Sequence, residues 1–243
     1  MLKTREMTWI EFDKRRKETQ LVILPLGATE VYGPHLPMGA DTIVAERVAE
    51  LLAQRVNAVV GPTIEVGDSF FLDSFPGTLS VQPEHLRLYV EDICRSFIGW
   101  GFRRFFFLNG HLGNVAPVTQ LSLALQREPG VKCAQIDWWR FVQPLGDGIL
   151  QYSGPMAHGH ASEAGTSILL HLVPELIGDK ANWPKVMPKE DRFPDVIKYP
   201  ALTELTPNGT IGDATVASAE KGKLLLDRCI DRMADFIENV FLK

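Results

Sequence analysis

The sequence predicts an α/β fold in three layers, with helices on both faces of a mostly parallel sheet. Three observations predict it. Apolar runs rich in branched and aromatic residues alternate with helical patterns, and the two most polar motifs directly follow the first and third strong runs. The chain has 243 residues, 45% hydrophobic and 23% charged, enough for one substantial core and ordinary for a globular protein.

The runs are LVILPLG (21–27), NAVVGPTIEVG (57–67), FRRFFFLNGH (102–111) and VKCAQIDWW (131–139). Each ends in glycine or a polar turn and reads as a core strand. Between them, DTIVAERVAELLAQRV from Asp41, PEHLRLYVEDICRSFIGWG from Pro83 and NVAPVTQLSLALQRE from Asn114 carry helical spacing. Strand, helix, strand in order is the signature of βαβ units, whose crossovers cover both sheet faces. Ligands in such sheets gather at the carboxyl ends of the strands. Residues 179–213, rich in Pro, Gly, Lys and Asp, read as a long surface excursion of the kind that forms lids or oligomer contacts. An amphipathic helix follows over about 217–241, and residues 1–243 read as one domain.

A formal net charge of -5 gives no basic field for nucleic acid or an anionic membrane, so a small-molecule substrate is expected. No apolar stretch reaches the roughly 18 residues of a membrane span, and the first residues lack a signal-peptide core, so the expected location is cytoplasmic. Cys94, Cys133 and Cys229 are odd in number and lack CxxC spacing, which suits packing rather than disulfides or a thiolate zinc site.

Three segments carry candidate chemistry. LPLGATEVYGPHLPMGAD (24–41) gathers Glu30, Tyr32, His35 and Asp41 in a glycine- and proline-rich loop after a buried strand. LNGHLGN (108–114) places His111 where a strand turns into a helix; Asn109 and Asn114 can anchor the turn, and Gly110 and Gly113 permit close backbone approach. MAHGHASEAGTS (156–167) supplies His158, His160, Glu163 and Thr166 at a helix start, with His160 and Glu163 at i, i+3 spacing. Carboxylates and imidazoles without thiolates suit a divalent zinc, manganese or iron ion. Such an ion makes a nucleophile from water, in a chain with no GxSxG elbow.

The segments GATEVYGPHLPMGAD, FPGTLS (75–80), LNGHLGN and HASEAGTS resemble the creatininase family patterns GSxEQHGPHLPLxTD, NGHGGN and HAGExETS, with a weaker echo in GTIGDATVASAEKG (209–222). The resemblance implies an α/β/α fold and homo-oligomers, often hexamers. It implies Glu30, Asp41, His111 and Glu163 as metal ligands, Asp41 bridging two ions, and His160 as the proton-transfer residue. Tyr32 stands where the family has a histidine for the second ion, Gly165 where it has a second glutamate, Ser162 where it has glycine, and Gly113 where creatininase itself has a metal-bearing glutamate.

These departures predict one tightly held ion, or a second that is weak, and argue against creatinine as substrate. Tyr32 is then a substrate or second-site candidate. The expected activity is metal-dependent hydrolysis of a small-molecule amide or cyclic amide. Ring opening of a keto-inositol is the alternative, and a non-catalytic ligand-binding relative, suggested by the lost histidine, is the other.

Overall fold

The computed structural model describes residues 2–193 and 195–243. The elements run α1 (Trp9–Arg15), β1 (Leu21–Leu26), α2 (Ala40–Val56), β2 (Val59–Val60), α3 (Pro83–Gly99), β3 (Arg104–Asn109), α4 (Val115–Leu125) and β4 (Lys132–Asp137). There follow α5 (Trp138–Val142), α6 (Gly154–His158), α7 (Glu163–Leu172), β5 (Lys185–Val186), α8 (Leu202–Leu205), β6 (Gly212–Asp213) and α9 (Ala219–Phe236), the last continuing as a π-helical turn over Ile237–Phe241.

β2, β1, β3 and β4 form one parallel sheet in that order, with Leu21 level with Arg104 and Asn109 level with Asp137. The two faces are separated by strand alternation. Leu21, Ile23, Phe106 and Leu108 pack with α2, α7 and α9, whereas Val22, Leu24, Phe105 and Phe107 pack with α3 and α4. Phe105, Phe106 and Phe107 are all fully buried, as a strand covered on both sides requires. The predicted three-layer α/β/α architecture is present.

The second expected strand is much shorter than its apolar run. Pro62 lacks an N–H for the ladder, so pairing stops at Val60, and only an isolated bridge from Ile64 to Leu26 persists beyond it. Among the described residues no helix is long and apolar enough to cross a membrane. The 179–213 excursion is anchored by the antiparallel pair β5–β6 and carries α8.

The chain leaves β1 towards β2 on one side and reaches β3 and β4 on the other, so the sheet order reverses between β1 and β3. The carboxyl ends of those two strands open a crevice at that switch point. Both polar motifs, 27–41 and 110–114, start there.

Candidate metal centre

The loop after β1 is braced before it reaches α2. Glu30 N donates to Met38 O at 2.9 Å, Val31 N donates to Thr78 Oγ1 at 3.1 Å, and Leu79 N donates to Thr29 O at 2.9 Å, so the 75–80 segment holds Glu30 in place. Asp41 lies in the first turn of α2, where the helix dipole favours an acid. A Cβ on Gly110 would sit 2.6 Å from Asp41 O, so glycine is what allows the end of β3 to lie against the start of α2. That approach carries His111 to Asp41.

Glu30, Asp41 and His111 are 2%, 2% and 5% exposed, and one ligand atom from each lies within 4.8 Å of the other two. His111 Nε2 is 2.8 Å from Asp68 O; a carbonyl can only accept, so Nε2 carries the hydrogen. Nδ1 then faces Glu30 Oε2 and Asp41 Oδ2, each at 3.3 Å. A single N–H cannot point along two directions, and both distances exceed the usual 2.7–2.9 Å or so of a charge-assisted bond. Separations near 3.3 Å are instead what atoms about 2.1 Å from one shared ion present to each other.

Each carboxylate is oriented from behind. Ser69 Oγ donates to Glu30 Oε2 at 2.6 Å, and Trp139 Nε1 donates to Asp41 Oδ1 at 2.9 Å. Asn114 ties the surrounding loops, donating to Gly27 O at 2.9 Å and accepting from Asp68 N at 3.1 Å. Its anchoring is therefore long-range rather than local. Burial alone would depress the His111 pKa, but Glu30 and Asp41 hold it well above the ordinary value. Burial would raise Glu30, which His111 and His160 keep below the usual carboxylate range; burial and Glu30 together raise Asp41. The opposed shifts follow from attraction between the imidazole and the carboxylates and repulsion between the two carboxylates in a buried site.

His160 enters from the other side. Its Nδ1 donates to Gly209 O at 2.6 Å, and its Nε2, buried and without a hydrogen-bond partner, faces Glu30 Oε1 at 3.5 Å. Burial opposes protonation of this ring, and Glu30 outweighs it, so the pKa is raised. The expected shared helical face of His160 and Glu163 is absent. α7 starts only at Glu163, and Ala161 adopts φ 54°, a left-handed conformation that turns the chain between the two side chains.

Glu163 is not brought to the group. It is fully buried, and its oxygens accept from Gln151 N at 2.7 Å, Tyr152 N at 3.1 Å and Lys221 Nζ at 2.6 Å. Lys221 also donates to Val216 O, so the pair joins α7, the start of α9 and the segment before α6. Breaking such a buried pair from one side costs about 3–5 kcal/mol. Glu163→Ala and Lys221→Ala are each expected to lower the melting temperature by roughly 6–20 °C with the metal content per folded chain unchanged. Thermal denaturation beside elemental analysis checks this. Loss of metal from Glu163→Ala at undiminished stability would instead make Glu163 a ligand.

Tyr32, 3% exposed, stacks on Trp139 at 5.7 Å and meets the edge of His160 at 4.6 Å. A Cβ on Gly165 would lie 2.9 Å from the Tyr32 hydroxyl, so the glycine at 165 makes the room that the tyrosine at 32 fills. Two departures noted above are thus one packing change. A Cβ on Gly113 would lie 2.0 Å from Asp68 O, which leaves no space there for a longer side chain. His35 is elsewhere engaged, Nε2 2.9 Å from Thr166 Oγ1, with burial pushing its pKa down to about 4. His158 is half-buried against Gly146. Burial pushes the thiols of Cys133 and Cys229 up to about 12 and raises Cys94 as well, as befits packing residues.

The group forms the floor of a pocket of about 260 Å³. Phe71, Leu72, Leu112 and Trp139 make its walls, and the excursion adds Lys198, Tyr199, Pro200, Leu202 and Leu205. Ser69, the Asp68 carbonyl, Trp139 and these wall residues were not singled out by the sequence reading. The WW pair closing the fourth strand was the only visible hint of Trp139.

Fold and site together define an α/β/α chain with a buried centre of two carboxylates and one imidazole at the carboxyl edge of its sheet. The family model described as creatinine amidohydrolase matches residues 5–237, and the chain belongs to this creatininase family. It is 33% identical to creatinine amidohydrolase of Pseudomonas putida, over 97% of this chain and 96% of that protein. It is 31% identical to the mycofactocin precursor peptide peptidase of Mycobacterium tuberculosis (88% and 84% covered) and 28% identical to 3-dehydro-scyllo-inosose hydrolase of Thermotoga maritima (96% and 82%). A solved structure titled creatininase Mn superposes with a TM-score of 0.89 at 28% identity, covering 100% of this chain and 99% of that one.

Proposed function

We propose that the protein is a metal-dependent hydrolase that cleaves an amide or cyclic amide of a small molecule, with Glu30, Asp41 and His111 holding a zinc, manganese or iron ion. The observation that carries this reading is His111 Nδ1, left as the inward-facing ring nitrogen by the Asp68 contact at Nε2 and set 3.3 Å from two buried carboxylates. Two carboxylates this close in so dry a site call for positive charge between them, which a divalent ion at Nδ1 provides. Glu163 is left out of the set because its oxygens already accept three N–H bonds. A bound divalent ion supplies Lewis acidity, drawing the pKa of water towards about 7 and polarising a carbonyl oxygen.

The remaining work belongs to the chain. Ser69 and Trp139 fix the carboxylates, as outer partners of metal ligands commonly do. His160 Nε2, unpartnered at the pocket floor, takes a proton from the attacking water and returns one to the leaving nitrogen. The apolar walls limit competing water.

The metal-loaded protein is expected to hydrolyse members of a panel of formamides and cyclic amides, followed by release of carboxylate and amine. An exclusive response to keto-inositols would reverse the ranking in favour of ring opening, the alternative supported by the Thermotoga maritima relative. Silence towards both classes, in protein verified to contain metal, would favour a ligand-binding role.

A further inference from the structure

The pocket is chemically divided from floor to rim. Its acidic and imidazole groups lie together at the bottom, whereas the walls above are leucine, proline and aromatic carbon. Lys198 is the wall's charged side chain, and it is already paired with Asp191, so it does not call for an anionic substrate. At the rim the rings of Phe71 and Tyr199 lie 19° from parallel with centroids 5.9 Å apart. They are 43% and 73% exposed, a large aromatic surface facing a cavity that opens onto the metal centre.

A polyol in this space would surrender water around every hydroxyl and find almost no partners on the walls. A small polar amide would use the floor and leave the aromatic rim wet. An apolar cavity of about 150 Å³ accepts a benzene ring. A pocket of about 260 Å³ therefore takes a ring together with the amide that carries it.

Resting on the metal-hydrolase reading, we propose that the substrate bears a flat aromatic or similarly apolar body next to the scissile amide, and that Phe71 and Tyr199 select it. The amide reaches the floor while the body lies between the walls beneath the two rings. Offset or edge-on contact with those rings rewards a flat apolar face and penalises a hydroxylated one. The excursion at 179–213 then contributes specificity, since Tyr199 and its neighbours belong to it.

Acetohydroxamic and benzohydroxamic acid share one metal-chelating head and differ in a ring, so calorimetric titration of the metal-loaded protein with each isolates the body's contribution. Benzohydroxamic acid is expected to bind about 10- to 100-fold more tightly, the range for burying one aromatic side group. In Phe71→Ala and Tyr199→Ala, compared at equal metal content, that ratio should fall several-fold; both side chains are exposed, so the fold should tolerate their loss. Equal affinities in the unaltered protein would overturn this inference and leave the metal reading standing. A ratio that persists in both variants would overturn the assignment to Phe71 and Tyr199. No binding of either hydroxamate would overturn the metal reading, and the inference with it.

Discussion

The double variant Glu30→Ala, His111→Ala is expected to emerge from purification without its metal and without hydrolytic activity. Both side chains are almost wholly buried, and between them they supply two of the three ligand atoms within 4.8 Å of one another. Asp41 alone cannot hold a borderline divalent ion against water. An ion that binds only the folded arrangement stabilises it by about 4 kcal/mol at a thousand times its dissociation constant. For a chain of this size, losing that contribution lowers the melting temperature by roughly 8–16 °C. Adding chelator to the unaltered protein should reproduce the shift, whereas chelator should leave the double variant unmoved. Unchanged metal content in the variant would place the site elsewhere.

The same elemental analysis reads the stoichiometry. Tyr32 is wedged between Trp139 and His160, with its hydroxyl over Gly165, and Gly113 has no room for a ligating side chain. A phenol must also lose a proton to ligate, and burial with the neighbouring Asp41 and Glu30 holds the Tyr32 pKa well above its ordinary value. One ion per chain is therefore expected in the unaltered protein. Tyr32→His restores an imidazole and should add a second, weaker ion. Two fully occupied ions in the unaltered protein would show that Tyr32 does not exclude the second.

Legibility from sequence followed the range of the interaction. The strands and helices were readable because their pattern is local: branched and aromatic runs ending in glycine, then helical spacing. The second strand was overread, since apolar character continues to Val66 while Pro62 ends the ladder. Glu30, Asp41 and His111 were legible because two motifs directly follow buried strands, and a parallel sheet puts those ends together. Glu163 is engaged outside that group. Its partner Lys221 lies 58 positions away, and the left-handed turn at Ala161, an ordinary alanine in the sequence, breaks the expected i, i+3 face. Trp139, Ser69 and Tyr199 reach the site only through tertiary packing, which no local pattern encodes. The link between Tyr32 and Gly165 was present as two separate departures, but their mutual fit needed coordinates.

Replacing His160 with Ala is expected to leave the metal in place and lower turnover by roughly 10²–10⁴-fold, the usual contribution of a positioned acid/base. The geometry separates this residue from the ligands. Its Nδ1 is taken up by Gly209 O at 2.6 Å, which fixes the ring and leaves Nε2 as the atom that faces Glu30 Oε1 at 3.5 Å. That spacing is too long for a direct bond, and Nε2 has no other partner, so it is the atom free to meet water or a leaving nitrogen. Elemental analysis of His160→Ala should return the metal content of the unaltered protein, and KM should change far less than kcat. Added imidazole should restore part of kcat, because it can carry the missing proton but cannot repair a distorted fold. Loss of metal together with activity would make His160 a ligand, and a kcat indifferent to imidazole at intact metal content would leave it as a group that only orients Glu30.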